Sequence, residues 1–253
     1  MATDESSAPF MRKAREELID WARTLAWIVP IWLLVITLFY SNYSIPSESM
    51  VPTLEVGDRV IVSQSAYGYS RYSLPLNLGR LVPPGDKRLF ERMPERGDVV
   101  VFMNPHENRV MIKRLVGLPG DRIAVRAGRL WINDAPVPLS PGTPLLRRAH
   151  DAGVEAAVRY EETLPGGLRH PIDQFPNVMN PLDEFGPIVV PPRHFFFMGD
   201  NRDNSLDSRA EMGPVPFENL IGRAETIYFT WSFCNPDAGY ACPRKRWLKP
   251  LHD

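Results

Sequence analysis

Ile45-Pro46-Ser47-Glu48-Ser49-Met50-Val51-Pro52-Thr53-Leu54 places two serines between two prolines. Each proline fixes its own φ and presses the preceding residue toward extended geometry. Ser49 is therefore presented rigidly, as a nucleophile must be. The same residues also read as a polar turn in which Ser47 or Ser49 caps a helix. A second group with chemistry lies 64 positions later. Of the 29 basic residues only Lys13, Lys87, Lys113, Lys245 and Lys249 are lysines, so a lysine in an apolar strand stands out. Arg109–Val116 reads as such a strand, and period two puts Met111, Lys113 and Leu115 on one face and Val110, Ile112, Arg114 and Val116 on the other. Burial disfavours the charged amine and lowers its pKa. The alternative is an edge-strand lysine that blocks aggregation.

A third feature is Gly199-Asp200-Asn201-Arg202-Asp203-Asn204-Ser205-Leu206-Asp207-Ser208-Arg209. Its density of Asp, Asn and Ser predicts a loop held by its own side-chain to backbone hydrogen bonds. It is not an EF-hand calcium loop. Counting from Asp203, that pattern needs Gly at 208 and Glu at 214, where the chain has Ser208 and Pro214. None of His106, His150, His170, His194 and His252 sits in a strained turn beside an acid, which argues against a histidine triad. A serine and a desolvated lysine need no histidine, because a neutral amine can take the serine proton and return it to the leaving group. Cys234 and Cys242 lack a paired histidine spacing, so they make a poor zinc site. In an oxidising compartment a small disulfide loop between them is expected. No metal or organic cofactor is indicated.

These groups need elements to position them. Residues 1–20 read as a polar N-terminal tail, and Thr24–Ser47 carries no charge. Trp21 and Trp27 stand near one end of the apolar stretch and Tyr40 and Tyr43 near the other, as at the two faces of a bilayer. Residues 21–43 are predicted to be a single membrane anchor helix, long enough to span and with Pro30 tolerated inside it. A cleaved leader is the rival, but no small-x-small site follows. Arg12, Lys13, Arg15 and Arg23 precede the span and Glu48, Glu55 and Asp58 follow it, which puts the N-terminus in the cytoplasm and the rest outside.

The remainder is expected to be mainly β, an antiparallel catalytic sheet built from 44–135 and 193–233. Twenty-six prolines suit a turn-rich β chain. Strands are predicted after Gly57-Asp58 and Gly97-Asp98, then at Arg122–Val125, Leu130–Ile132, His194–Met198, Gly213–Val215 and Ile221–Phe229. Tyr67–Pro94 reads as irregular, 136–192 as a peripheral β excursion, and 234–253 as a C-terminal tail with basic residues that could touch anionic lipid. A net charge of −1 argues against a nucleic-acid partner.

Ser47 to Leu54, Gly57-Asp58 through Tyr67-Gly68, Lys113-Arg114 through Asp121, and Gly199 to Arg209 resemble, in order, the sequence boxes of bacterial type I signal peptidases. The resemblance implies Ser49 as nucleophile and Lys113 as general base, a dyad working through an acyl-enzyme. It implies an oxyanion hole from the Ser49 N–H and the Ser47 hydroxyl. Ser205 would orient the lysine amine, and Asp207 and Arg209 would brace that loop. Ile45, Pro46, Met50, Leu54 and Ile112 would line shallow pockets for the small residues of an Ala-x-Ala site. The implied partners are signal peptides of exported preproteins and the lipid bilayer, with proximity to the export translocon. The implied place is the bacterial cytoplasmic membrane, single-pass, with the catalytic domain on the outer face. Gln64 stands where the family commonly has a lysine, and the well-known enteric members have two spans. Three other functions compete. A specialised Ser-Lys peptidase would process one secretion or conjugation substrate. A self-cleaving repressor would need a soluble DNA-binding front end, and a catalytically dead scaffold would need no neutral lysine.

Overall fold

The structure, a computed structural model, describes residues 7–74, 79, 88–148, 154–176, 180–231 and 245–252. Cys234 and Cys242 lie outside them. The chain divides into two compact units, residues 1–39 and 40–253.

The first unit holds helix α1 (Ser7–Phe39). From Leu25 onward it is apolar on all sides, and Trp27, Trp32 and Ile31 are more than half exposed. A soluble helix would bury one stripe and leave the other polar. Arg15–Phe39 is long and apolar enough to cross a membrane. Within it the Thr37 hydroxyl donates to the Leu33 carbonyl, so the polar atom is satisfied inside the helix. The helix differs from the sequence expectation at both ends. It takes in much of the polar stretch before residue 21. It stops at Phe39, because Tyr40–Ser44 forms a strand, β1, paired antiparallel with β2 (Asp58–Ser63).

The second unit is mainly β. Its largest sheet is curled and antiparallel. It also contains β3 (Val99–Met103), β4 (Val110–Gly117), β12 (His194–Met198), β13 (Val215–Pro216) and β14 (Leu220–Thr230), in the order β1-β2-β14-β3-β4-β12-β13. A short strand β15 (Lys249–Pro250) pairs with β14. The apolar runs of β3 and β12 are continuous because both faces are covered. In β3, Val99 and Val101 join one core cluster with Met50, Leu54 and Val60, while Val100 and Phe102 join a second with Phe195 and Phe197. In β12 the alternation repeats, with Phe196 and Met198 entering a third cluster around Ile123 and Leu130. Phe102 and Phe197 stack at 4.6 Å.

A smaller sheet has β5 (Arg122–Arg126), β6 (Arg129–Ile132), β7 (Ala135–Pro136) and β11 (Phe185–Val189), in the order β11-β5-β6-β7. The β6–β7 turn places Asn133 and Asp134 at positive φ, a conformation these two side chains tolerate. Within 136–192, read as a peripheral excursion, β8 (Thr143–Arg148), β9 (Val154–Thr163) and β10 (Arg169–Gln174) form a three-stranded sheet, while β11 pairs with β5.

Candidate active site

The turn that carries Ser49 is fixed at both ends. The Ile45 amide donates to the Asp58 carbonyl and the Ile45 carbonyl accepts from Gly57, each at 2.9 Å. Inside it, Val51 donates to Glu48 and Leu54 donates to Met50. Met50 and Leu54 are fully buried, so two side chains sunk in the core pin the segment that directly follows the serine. Burying each is worth about 1.5–3 kcal/mol. The rigidity expected from the prolines thus has a second source.

β4 brings Lys113 to that turn. Lys113 Nζ lies 2.7 Å from Ser49 Oγ and donates to the Ile112 carbonyl at 3.0 Å. Both side chains are buried, at 3 % and 8 % exposure. Burial is the main cause that lowers the Lys113 pKa from its ordinary 10.5 to about 8; Asp207 and Asp200 pull it back up, and Arg109 presses it further down. A large neutral fraction at mildly alkaline pH follows. Ser47 Oγ stands 3.4 Å from Ser49 Oγ.

The Asx/Ser loop packs against the same turn. Asn201 donates twice, its amide to the Ser49 carbonyl and its side chain to the Glu48 carbonyl, both at 3.2 Å. The Asn204 side chain donates to the Glu48 carboxylate at 3.3 Å. The loop closes on itself as its composition predicts. Asp207 accepts from the Gly199 amide at 3.0 Å and from the Arg209 guanidinium at 2.9 Å through both oxygens. Arg209 also donates to the Arg202 carbonyl. Burial alone would raise the Asp207 pKa, but Arg209 and the two backbone donors outweigh it and hold it low. Ser205 is buried, and its hydroxyl has no hydrogen-bond partner among the described residues.

Arg114, the neighbour of Lys113, points elsewhere. It forms a two-toothed pair with Asp200 at 2.8 Å and donates to the Gly97 carbonyl. Asp200 also meets His170, which meets Glu162, which pairs with Arg202. All five side chains are buried.

A cleft of about 710 Å³ opens over the serine and lysine. Its walls are Pro46–Ser49 on one side, Arg109–Lys113 on another, and Asp203–Leu206 with Asn180 and Leu182 on the rest. The residues expected to matter are thus distributed unevenly. Ser47, Ser49, Lys113, Ser205, Pro46 and Ile112 line the cleft. Asp207 and Arg209 support the loop from within. Ile45, Met50 and Leu54 are 0–2 % exposed core residues and are not part of the lining. Sequence reasoning missed Asn201 and Asn204 as holders of the serine turn. Their signal was present in the Asx density, but nothing local said which carbonyls they would reach. It also missed Arg114, His170, Glu162 and Arg202, whose partners are brought together only by the tertiary fold.

A family model described as "Signal peptidase, peptidase S26" matches residues 18–231. The protein named "Signal peptidase I" of Rickettsia massiliae (strain Mtu5) is 35 % identical over 240 residues, covering 91 % of this chain and 85 % of its own. The one of Rickettsia akari (strain Hartford) is 35 % identical over 236 residues, with the same two coverages. A crystal structure of a signal peptidase I from Enterococcus faecalis V583 is 22 % identical, covers 52 % of this chain and 97 % of its own, and gives a TM-score of 0.32, too loose a likeness to support a structural argument. On the family match and the two relatives, the chain belongs to the signal peptidase family, peptidase S26, and is a hydrolase that cleaves signal peptides.

Proposed function

We propose that the chain is a membrane-anchored serine endopeptidase that cuts exported preproteins after Ala-x-Ala through a Ser49–Lys113 dyad. The observation that carries this reading is the 2.7 Å approach of a buried lysine amine to a buried serine hydroxyl, at the floor of a cleft. Neutral Lys113 takes the Ser49 Oγ proton as Oγ attacks the scissile carbonyl carbon. The oxyanion receives the Ser49 N–H and the Ser47 hydroxyl, where one such donor is worth about 2.7–4 kcal/mol. The lysine ammonium then protonates the leaving amine. Water, deprotonated by the same amine, hydrolyses the acyl-Ser49 ester.

The substrate segment is read as an added strand. β4 pairs with β12 only from Arg114 onward, so the other edge of Val110–Lys113 is unpaired where it lines the cleft. An extended peptide laid along it would gain main-chain hydrogen bonds, and small side chains at alternate positions would meet Pro46 and Ile112. Ile45, Met50 and Leu54 would shape those pockets from the core behind. The anchor is the apolar part of α1, which ends at Phe39, with the N-terminus in the cytoplasm and the β unit that follows as the catalytic domain on the outer face of the bacterial cytoplasmic membrane. Substrates would arrive there from the bilayer and the neighbouring export translocon.

The test is processing of a preprotein with an Ala-x-Ala site by detergent-solubilised wild type, Ser49→Ala and Lys113→Ala. Cleavage after the second alanine by wild type alone is expected. Cleavage that survives both substitutions would sink the dyad.

A further inference from the structure

His170, on β10, lies between two carboxylates. Its Nε2 is 3.1 Å from Glu162 Oε2 on β9, and its Nδ1 is 3.3 Å from Asp200 Oδ1 in the Asx/Ser loop, called the catalytic loop from here on. The ring is 3 % exposed, Glu162 is fully buried and Asp200 is 1 % exposed. Each acid has an arginine of its own. Arg114 holds both oxygens of Asp200, and Arg202 bonds to Glu162. A neutral imidazole presents a lone pair from one nitrogen, and that lone pair would face a carboxylate oxygen here. The Asp200 contact is an ion-pair distance and not a hydrogen bond, so it is attractive only when the ring carries a charge. The arginines keep the acids ionised: burial raises Glu162, but Arg202 and His170 outweigh it and bring it down to about 2.

The contact joins the three-stranded sheet to the machinery. β10 reinforces it through the backbone, since Asp173 donates to the Asp200 carbonyl at 2.9 Å and Arg202 donates to the Asp173 carbonyl at 3.0 Å. The residues flanking Asp200 touch the serine turn on both sides. Asn201 donates to the Ser49 carbonyl, and Gly199 packs against that same carbonyl and Ser205. Asp200 also favours the proton on Lys113. A cation on its far side opposes that pull.

Building on the Ser49–Lys113 reading, we propose that His170 is a positioning residue of the hydrolysis. As an imidazolium it ties Asp200 to Glu162, fixes the catalytic loop on the three-stranded sheet, and offsets the field of Asp200 at Lys113. The sheet of β8, β9 and β10 is then a brace of the active site.

The experiment uses the full chain in detergent and compares wild type with His170→Gln. His170 does not line the cleft, so KM for a signal-peptide substrate should stay within about twofold. Loosening of the loop should lower kcat by about 10- to 100-fold, the scale on which small misplacements act. Asp200, then balanced by Arg114 alone, should move the rising limb of the kcat–pH profile to higher pH. A wild-type kcat, or a lowered kcat with the limb unmoved, would overturn the proposal. Should the variant fail to fold, nitrogen NMR of histidine-labelled Ser49→Ala protein decides instead, at the assay pH. The ring buried between the acids is expected to show two protonated nitrogens, and one bare nitrogen would overturn the proposal. Wild type without Ser49-dependent cleavage would refute the dyad, and the NMR readout would still report on His170.

Discussion

Gly199 lies directly against the carbonyl of Ser49. A Cβ built on the glycine would stand 2.4 Å from that oxygen and 2.3 Å from the Ser205 hydroxyl oxygen. Neither distance is attainable, and the Ser49 carbonyl is backbone that is already bonded to Asn201. Gly199→Ala must therefore shift the loop or the serine turn by most of an ångström. We expect a folded enzyme whose kcat falls about 100-fold, measured with a signal-peptide substrate. Activity within twofold of wild type would show that the two segments move independently.

On the proposed dyad, the Lys113 amine should set the pH dependence. Its pKa is pressed down to about 8, chiefly by burial, and the base acts only when deprotonated. kcat/KM should rise tenfold per pH unit below about 8 and level off above it. Lys113→Arg should be inactive at every pH, because arginine keeps its proton. A profile flat from about pH 5 to 9 would contradict the assignment of the base.

The same lysine should weaken the fold. Its folded pKa lies below the unfolded value of 10.5, so the unfolded chain binds the extra proton. The penalty is present in full below about pH 8 and disappears as pH rises through about 10.5. Lys113→Met keeps the side-chain volume and removes the titration. It should stabilise the protein by on the order of 1–3 kcal/mol at pH 7, with the gain fading by about pH 10. Denaturant midpoints at the two pH values provide the check, and a gain independent of pH would mean that packing, not ionisation, is responsible.

Glu162 works in the opposite direction. Burial raises its pKa, yet Arg202 and His170 bring it from 4.5 to about 2. A carboxylate depressed on folding adds stability that is whole above about pH 4.5 and is lost as pH falls through about 2. The contribution is on the order of 3 kcal/mol. Glu162→Gln should lower stability at pH 7, since Arg202 loses its anion, and should flatten the decline between pH 4.5 and 2. An unchanged acid transition would place the sensitive carboxylate elsewhere.

The strands around the site were readable wherever both faces are buried. Val99–Met103 and His194–Met198 are apolar without interruption, and each alternates between two core clusters. Lys113 was readable because lysine is scarce and its neighbours are apolar. The reach of Arg114 to Asp200, 86 positions away, was not, because an ion pair leaves no periodic trace. The strands at 143–174 were equally hard to interpret. Buried Glu162, His170 and Asp173 stand beside buried Ala157 and Ile172, so no apolar alternation marks the covered face. Reading 136–192 as a peripheral excursion rests on its Pro, Arg and Glu content and weak periodicity; within it His170 meets Asp200, Glu162 meets Arg202 and Arg147 meets Glu55.

Ser205 offers the sharpest test of how the lysine is aimed. The family resemblance assigns its hydroxyl to the amine, while in the structure that hydroxyl is buried and makes no hydrogen bond among the described residues. An unsatisfied buried hydroxyl costs about 1–3 kcal/mol, so removing it should not destabilise the fold. If the hydroxyl turns toward Lys113 only when substrate closes the cleft, Ser205→Ala should lower kcat about 10- to 100-fold with the melting temperature unchanged or raised. The rising limb of the pH profile should stay near 8, because burial and not this hydroxyl is the main cause of the lowered pKa. Full activity in Ser205→Ala would leave the Ile112 carbonyl, already 3.0 Å from Nζ, as the group that aims the base.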